Sequence, residues 1–356
     1  MKQVLVDKIA SVAQHSNLGQ ELRLSADIPC EEGVLLAVRV LNNKTRYNQL
    51  ELTSGRMAKV NQGDIIVGAL GHRKALRGYS GHLPDELEVG SSVQVLNIGG
   101  VLGFCDSANP DVGAPFDCEV LGTVLHFPYL GERIGVPARV GARALDPEMK
   151  IECRGIPVVA IAGTCMDSGK TAAACAIVGR LRHLGFKVAA CKATGVSLRR
   201  DILAMEDAGA FATMIFSDLG IVATTAENGP ALTRSLLSGL AEFDPDVIVI
   251  ELGDGLLGAY GVEAILHDRT ISDVLTAVIL CANDPVAAWG GTRILREQFD
   301  ITPALITGPA TDNAVGIDQI TERLSLPAIN ALTNGVVLGD AIAALLGVNN
   351  TAATES

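Results

Sequence analysis

Two different rhythms of apolar and polar positions divide the chain. From about residue 156 onward, short apolar runs alternate with longer helical stretches. The runs at 158–162, 187–191, 246–250, 277–281 and 304–307 read as strands. Between and after them, 170–184, 199–216, 229–243, 317–324 and 339–346 read as helices, the first stopped by Gly185. Apolar strands alternating with helices predict a mostly parallel, doubly wound α/β sheet with ligands at the carboxyl ends of its strands. Before residue 150 the rhythm is shorter. Strands are predicted at 34–40, 44–52, 64–68 and 92–96, bounded by glycines, with 3–13 the one expected helix. That pattern predicts a smaller β-rich barrel or sandwich. Residues 98–103 read as a tight turn and 106–115 as a loop. The expected organisation is a β-rich domain over 1–150, an α/β domain over 151–347 and a disordered polar tail over 348–356, with 139–155 as linker.

The stretch IPVVAIAGTCMDSGKT, residues 156–171, supplies the first chemistry. Strand, polar loop, Gly169-Lys170-Thr171 and an alanine-rich helix follow in order. Loop N–H groups and a helix N-terminus hold phosphate oxygens, a lysine reaches the outer phosphates, and a Thr hydroxyl binds Mg²⁺. Gly163, Thr164, Asp167, Ser168, Gly169, Lys170, Thr171 and Ala172 are therefore the expected nucleotide-binding residues. The spacing has one departure, because Thr164 stands where the usual pattern has glycine.

Other strand ends add to this site. Lys192-Ala193-Thr194-Gly195 follows the second strand, Asp201 comes soon after, and Glu251-Leu252-Gly253-Asp254-Gly255 follows the central strand. Mg²⁺ bound to a nucleotide needs hard oxygen ligands, and Thr171, Asp201 and Glu251 meet that need. Lys192 suits neutralisation of a transferring phosphoryl group or capture of an acidic substrate, with Thr194, Gly195 and Asp254 beside it. Asn283 and Pro309, in late strand-to-helix loops, are candidate contacts to the base; ordinary connecting loops are the alternative. In the front domain the basic, glycine-rich segment 71–82 reads as an anion-binding loop with Arg73 and Arg77 as bidentate donors, or as a solvated hairpin.

Composition narrows the classes. The 356 residues are 48% apolar and 4% aromatic, with 38 glycines, which suits a large aliphatic core. A net charge of −12 without a basic stripe argues against nucleic acid as a partner. No apolar run is long enough to span a membrane and no signal peptide is evident. Eight scattered cysteines without a C-x-x-C pair fit reduced thiols in a cytoplasmic protein.

The blocks GTCMDSGKT, CKATG, RRDILAME and IELGDG, in that order, resemble those of dethiobiotin synthetase and of the related cobyrinic acid diamide synthase type of amidotransferase. The resemblance covers about residues 150–345 and accounts for the Gly163-Thr164 spacing, which is that family's own form. It implies a P-loop NTPase fold, phosphate and Mg²⁺ on Lys170 and Thr171, Mg²⁺ on Asp201 and Glu251, an acidic intermediate on Lys192, and a homodimer. The chain departs from the family at Ala193, where proline is usual, at Asp254, where a small residue is usual, and in its front domain. Thr164 also replaces the second, signature lysine of the cell-division and metal-delivery ATPases of that superfamily. The reading that follows is an ATP- and Mg²⁺-dependent ligase or kinase that activates a small carboxylate or carbamate. Lys170 and Lys192 are its catalytic residues, and Arg73 and Arg77 hold the acid. The alternative is a nucleotide-dependent regulatory or assembly module with slow hydrolysis. No NKxD-type guanine signature is evident, which favours ATP over GTP.

Overall fold

A computed structural model describes residues 1–129, 131, 133–141 and 145–347. The tail 348–356, expected to be disordered, lies outside the described residues. The chain divides into two compact units, and the division is not a single cut. The first unit comprises residues 1–145, 196–200 and 216–224; the second takes 146–195, 201–215 and 225 onward.

The first unit is built on strands β1 (Lys2–Leu5), β2 (Glu21–Ser25), β3 (Leu35–Val40), β4 (Ile65–Leu70), β5 (Arg73–Lys74), β6 (Tyr79–His82), β7 (Ser92–Val95), β8 (Val101–Ala108) and β9 (Phe116–His126). Pairing runs from β9 to β3, β4, β8 and β7 and back to β9, which closes a five-stranded ring. The β4–β8 pair is parallel and the others are antiparallel. A closed barrel leaves none of these strands with a free edge. Its core is aliphatic, with Leu35, Leu36, Val38, Ile66, Leu70, Leu96 and Leu102 fully buried.

Several sequence expectations change here. Residues 3–13 are not a helix: β1 pairs with β2, and a 3₁₀ turn over Ser11–Ser16 follows. The alternating β-branched Val4 and Val6 suit an extended chain better than a helix. The run 44–52 shrinks to a hairpin of Gln49–Glu51 with Met57–Lys59. The expected turn and loop at 98–115 contain β8. The long β9 was hidden because a bulge between Val120 and Gly122 breaks its alternation.

Two segments distant in sequence complete this unit. The fully buried carboxylate of Glu51 accepts the N–H groups of Arg199 (2.8 Å) and Arg200 (2.7 Å). Asn97 donates to the Ser197 carbonyl at 2.8 Å and accepts from the Val101 N–H at 3.0 Å.

The second unit holds a six-stranded sheet of β10 (Val158–Gly163), β11 (Val188–Lys192), β12 (Ala212–Ile215), β13 (Val247–Glu251), β14 (Leu275–Cys281) and β15 (Leu305–Thr307). The order is β12-β11-β13-β10-β14-β15 and every pair is parallel. Strands buried on both faces carry the continuous apolar runs seen in the sequence. The helices are α1 (Lys170–His183), α2 (Arg200–Ala208), α3 (Gly229–Ala241), α4 (Val262–His267), α5 (Arg269–Ser272), α6 (Pro285–Phe299), α7 (Ala314–Leu324) and α8 (Gly335–Leu345). The helix expected over 199–216 stops at Ala208, because Gly209 at φ 109° breaks it and the chain enters β12 at the sheet edge. Helix α6, unmarked in the sequence reading, starts at an Asp284 cap that accepts the Ala287 N–H at 2.8 Å.

Candidate functional site

The centre of the sheet sets the site. β10 ends at Gly163, and α1 begins after Gly169, whose φ of 89° forms the left-handed turn into the helix. Between them Asp167 is exposed and also left-handed at φ 58°, while Ser168 is fully buried. The loop is anchored on both sides. The Thr164 N–H donates to the Cys281 carbonyl at 2.9 Å, and the Leu256 N–H donates to the Gly163 carbonyl at 2.8 Å. Ala172 lies in the first turn of α1.

Lys170 is 6% exposed and its ammonium sits over the loop. It donates to the carbonyls of Cys165 (2.9 Å) and Asp254, with the Ser168 hydroxyl at 3.4 Å. The 253–255 turn therefore lies against the loop. A Cβ on Gly255 would stand 2.7 Å from the Thr164 carbonyl oxygen, so the close approach requires glycine there.

The structure brings Asp201, Glu251 and Lys192 together. Lys192 and Asp201 form an ion pair, and Lys192 stands 4.0 Å from the Glu251 carboxylate. Glu251 is 2% exposed, and one of its oxygens, Oε2, has no hydrogen-bond partner. Burial pushes its pKa above the ordinary carboxylate range, against the opposing pull of Lys192, Lys170 and a hydrogen bond from Thr171. Asp254, held at φ 70°, is also buried and neither carboxylate oxygen has a partner at hydrogen-bonding geometry. Burial raises its pKa, and Lys170 with the N–H groups of Ala259 and Gly255 draws it partly back. Thr194 is fully buried and donates to the Gly253 carbonyl at 2.9 Å, and Gly195 continues the turn at φ 133°.

The two late candidates also arrive at the loop. Asn283 donates to the Cys165 sulfur at 3.2 Å, and its Oδ1 has no partner. A Cβ on Gly169 would meet the Pro309 ring at 3.6 Å, which places Pro309 beside the loop. Sequence reasoning missed the part played by Cys165 and by the Asp254 backbone carbonyl. Backbone acceptors leave no residue-type signal.

Arg73 and Arg77, expected as bidentate donors of an anion-binding loop, differ in setting. Arg77 is exposed in the turn between β5 and β6. Arg73 is 4% exposed and points inward, donating to the Leu96 carbonyl and to the Tyr47 hydroxyl (3.0 Å). Burial of its stem on the barrel, not solvation, sets its position.

Among the described residues no cluster of three or more His, Cys, Asp or Glu has the arrangement of a protein-only metal cage. The donors fit Mg²⁺ held largely by phosphate oxygens and water: the Thr171 hydroxyl adjoins a buried carboxylate with an orphaned oxygen. All eight cysteines are free; burial pushes the Cys281 thiol up to about 12 and the Cys175 thiol up to about 11. No helix among the described residues is long and apolar enough to cross a membrane.

A glycine-ended central strand, an anchored loop with a buried lysine and a following helix make the second unit an α/β P-loop domain. No protein-family model matches the chain, and no curated protein matches it significantly. Similar solved structures include chloroplast FtsY from Physcomitrella patens, at 17% identity and TM-score 0.38 over 57% of this chain and 69% of that one. The hydrogenase maturation factor HypB from Archaeoglobus fulgidus gives 15% identity and TM-score 0.36 over 54% and 91%. A DUF1611 family protein from Anabaena variabilis gives 14% identity and TM-score 0.41 over 58% and 63%. The assignment rests on topology and loop geometry, not on these distant likenesses.

Proposed function

We propose that the second unit binds a nucleoside triphosphate, ATP, with Mg²⁺, and transfers its terminal phosphoryl group to a small carboxylate or carbamate, leaving ADP; an amine or other nucleophile then displaces inorganic phosphate from the mixed anhydride. The chemistry resembles that of dethiobiotin synthetase. The observation that carries this reading is the second buried lysine. Lys192 lies 7% exposed at the end of β11, paired to Asp201 and 4.0 Å from Glu251, on the strand next to the one that bears Glu251. A loop lysine suffices to hold phosphate; a further buried cation at a strand end serves a reaction in which an anionic acceptor meets an anionic donor.

In this reading Lys170 leaves the loop carbonyls and takes the outer phosphates, and the N–H groups of the loop and of the first turn of α1 hold the rest. Thr171 and Glu251, with Asp201, would hold Mg²⁺, which supplies charge neutralisation at the phosphates. Lys192 binds the acceptor and keeps its charge close to the donor. Thr194 and Gly195 shape the backbone around Lys192, and Asp254 offers two unpartnered buried oxygens to a nucleophile's hydrogen. Asn283 and Pro309 border the base. The protein's own contribution is positioning and charge neutralisation.

The test is phosphate release from ATP·Mg²⁺ with and without a pool of small carboxylic and amino acids, repeated with GTP. Stimulation by the pool that disappears in Lys170→Ala supports the ligase or kinase reading. A slow rate that no metabolite changes, and that is faster with GTP, refutes it. The second reading, a nucleotide-dependent regulatory module, has one observation in its favour. The segments directly after β11 and β12, residues 196–200 and 216–224, belong to the first unit, so the covalent chain joins the strand ends to it. We also propose a homodimer, to be measured by sedimentation equilibrium with and without nucleotide.

A further inference from the structure

Among its described residues the first unit contains two partly or wholly buried cations, Arg73 and Lys44, that no acid neutralises. Arg73 is 4% exposed; its contacts are the Leu96 carbonyl, the Tyr47 hydroxyl and the Tyr47 ring, 5.7 Å from its guanidinium carbon. Its Nε has no partner. Lys44 is half-buried and donates to the Tyr79 hydroxyl at 2.8 Å and to the carbonyls of Val112 (3.2 Å) and Ala114. It also lies over the rings of Tyr79 (5.4 Å) and Phe116 (5.7 Å). The two cations belong to one cluster, because the Tyr47 and Tyr79 rings stack edge to face at 5.6 Å.

Among the described residues neither cation has a carboxylate within ion-pair distance. Burial draws the Lys44 pKa below its ordinary value. Buried charges in folded proteins are paired or bind a counter-ion. Two further features point the same way. Tyr47 accepts from Arg73, and no acceptor for its own hydroxyl proton occurs among the described residues. Its backbone sits at φ 51°, a left-handed conformation uncommon for an aromatic residue and typical of functional constraint.

We infer that the Arg73–Lys44–Tyr47 cluster of the β-barrel unit is a binding site for a small oxyanion, a carboxylate or a phosphate. The free donors are Arg73 Nε and the Tyr47 hydroxyl; the Lys44 ammonium, already shared among the Tyr79 hydroxyl and two carbonyls, supplies charge beside them. The Tyr79 and Phe116 rings provide an apolar flank for a short carbon chain. The site lies wholly within the first unit and stands independently of the function proposed for the phosphate loop.

The experiment is isothermal titration calorimetry of the full chain with inorganic phosphate and, separately, with succinate, in the Lys170→Ala background. That background removes the phosphate loop as a competing site. Either anion should bind, and the one that binds more tightly identifies the ligand as phosphate or carboxylate. Lys44→Met should weaken the binding at least about tenfold, as expected for loss of a nearby positive charge. Tyr47→Phe, which keeps the ring and the stacking, should weaken it about threefold or more. In the Lys170-intact chain, neither substitution should change the affinity for a fluorescent nucleotide. The inference is overturned if neither anion binds, or if binding is the same in Lys44→Met and Tyr47→Phe as in the parent. Anion binding that persists while nucleotide binding fails in every variant would overturn the phosphate-loop reading alone.

Discussion

Lys192→Met isolates the electrostatics of the strand ends. Lys192 is 7% exposed and pairs with Asp201, and it is the stronger of two cations that hold down the raised pKa of Glu251, itself 2% exposed. At the observed 4.0 Å, two unit charges interact by about 4 kcal/mol at an effective dielectric of about 20. Removing one partner of a buried pair leaves an uncompensated charge and costs roughly 3–5 kcal/mol. The loss should depend on pH with a definite sign. Glu251 has a folded-state pKa above its unfolded value, so within that window the folded state binds more protons and stability falls as pH rises. Without Lys192 the Glu251 pKa rises further. The variant should therefore be most impaired at neutral pH and should recover toward the parent as pH falls to the ordinary carboxylate range. The assay is urea denaturation followed by Trp289, the single tryptophan, which lies on α6 in the same unit. Adding Glu251→Gln should restore roughly 2 kcal/mol at neutral pH. A loss below about 1 kcal/mol, or one that neither pH nor Glu251→Gln changes, would refute the charge argument.

Other substitutions probe separate links. Asp254→Asn should raise the thermal midpoint at pH 7, since burial disfavours the carboxylate there and stability lost between the unfolded and folded pKa values returns. The same change should lower turnover in phosphate release. Gly308→Ala should cost at least about 2 kcal/mol by urea denaturation, because φ is 93° and the new Cβ collides with the Ser168 and Ala282 carbonyls. Glu51→Ala, which removes the acceptor of two part-buried N–H groups, should cost roughly 1–3 kcal/mol, read by amide exchange at Arg199 and Arg200.

The sequence showed the second unit more clearly than the first. Five of its strands are buried on both faces and appear as unbroken apolar runs, and the phosphate loop has fixed spacing. The edge strand β12 escaped notice because Ala212–Ile215 is partly exposed and follows α2 after only a short break. The barrel was harder to read, since its strands are held by non-local pairing and interrupted by glycines such as Gly122. The convergence of Lys192 and Glu251 was legible because both end parallel strands; Asp201 reaches them from the first turn of α2. The inward setting of Arg73 was not legible for a related reason: a basic, glycine-rich segment looks solvated in sequence, while its partner at Leu96 is a backbone carbonyl with no side-chain signature.

The composition of the first unit has a consequence for its birth on the ribosome. Residues 196–200 and 216–224 are parts of it, and Glu51 and Asn97 take hydrogen-bond partners from the earlier of these segments. A chain emerging from its N-terminus cannot finish this unit when residue 145 appears. It must wait until residue 224 has been made, by which time β10, α1 and β11 of the second unit already exist. A fragment ending at 145 would leave the buried Glu51 carboxylate and the Asn97 amide without those partners, so the barrel is not a module that can be cut out and carried elsewhere intact.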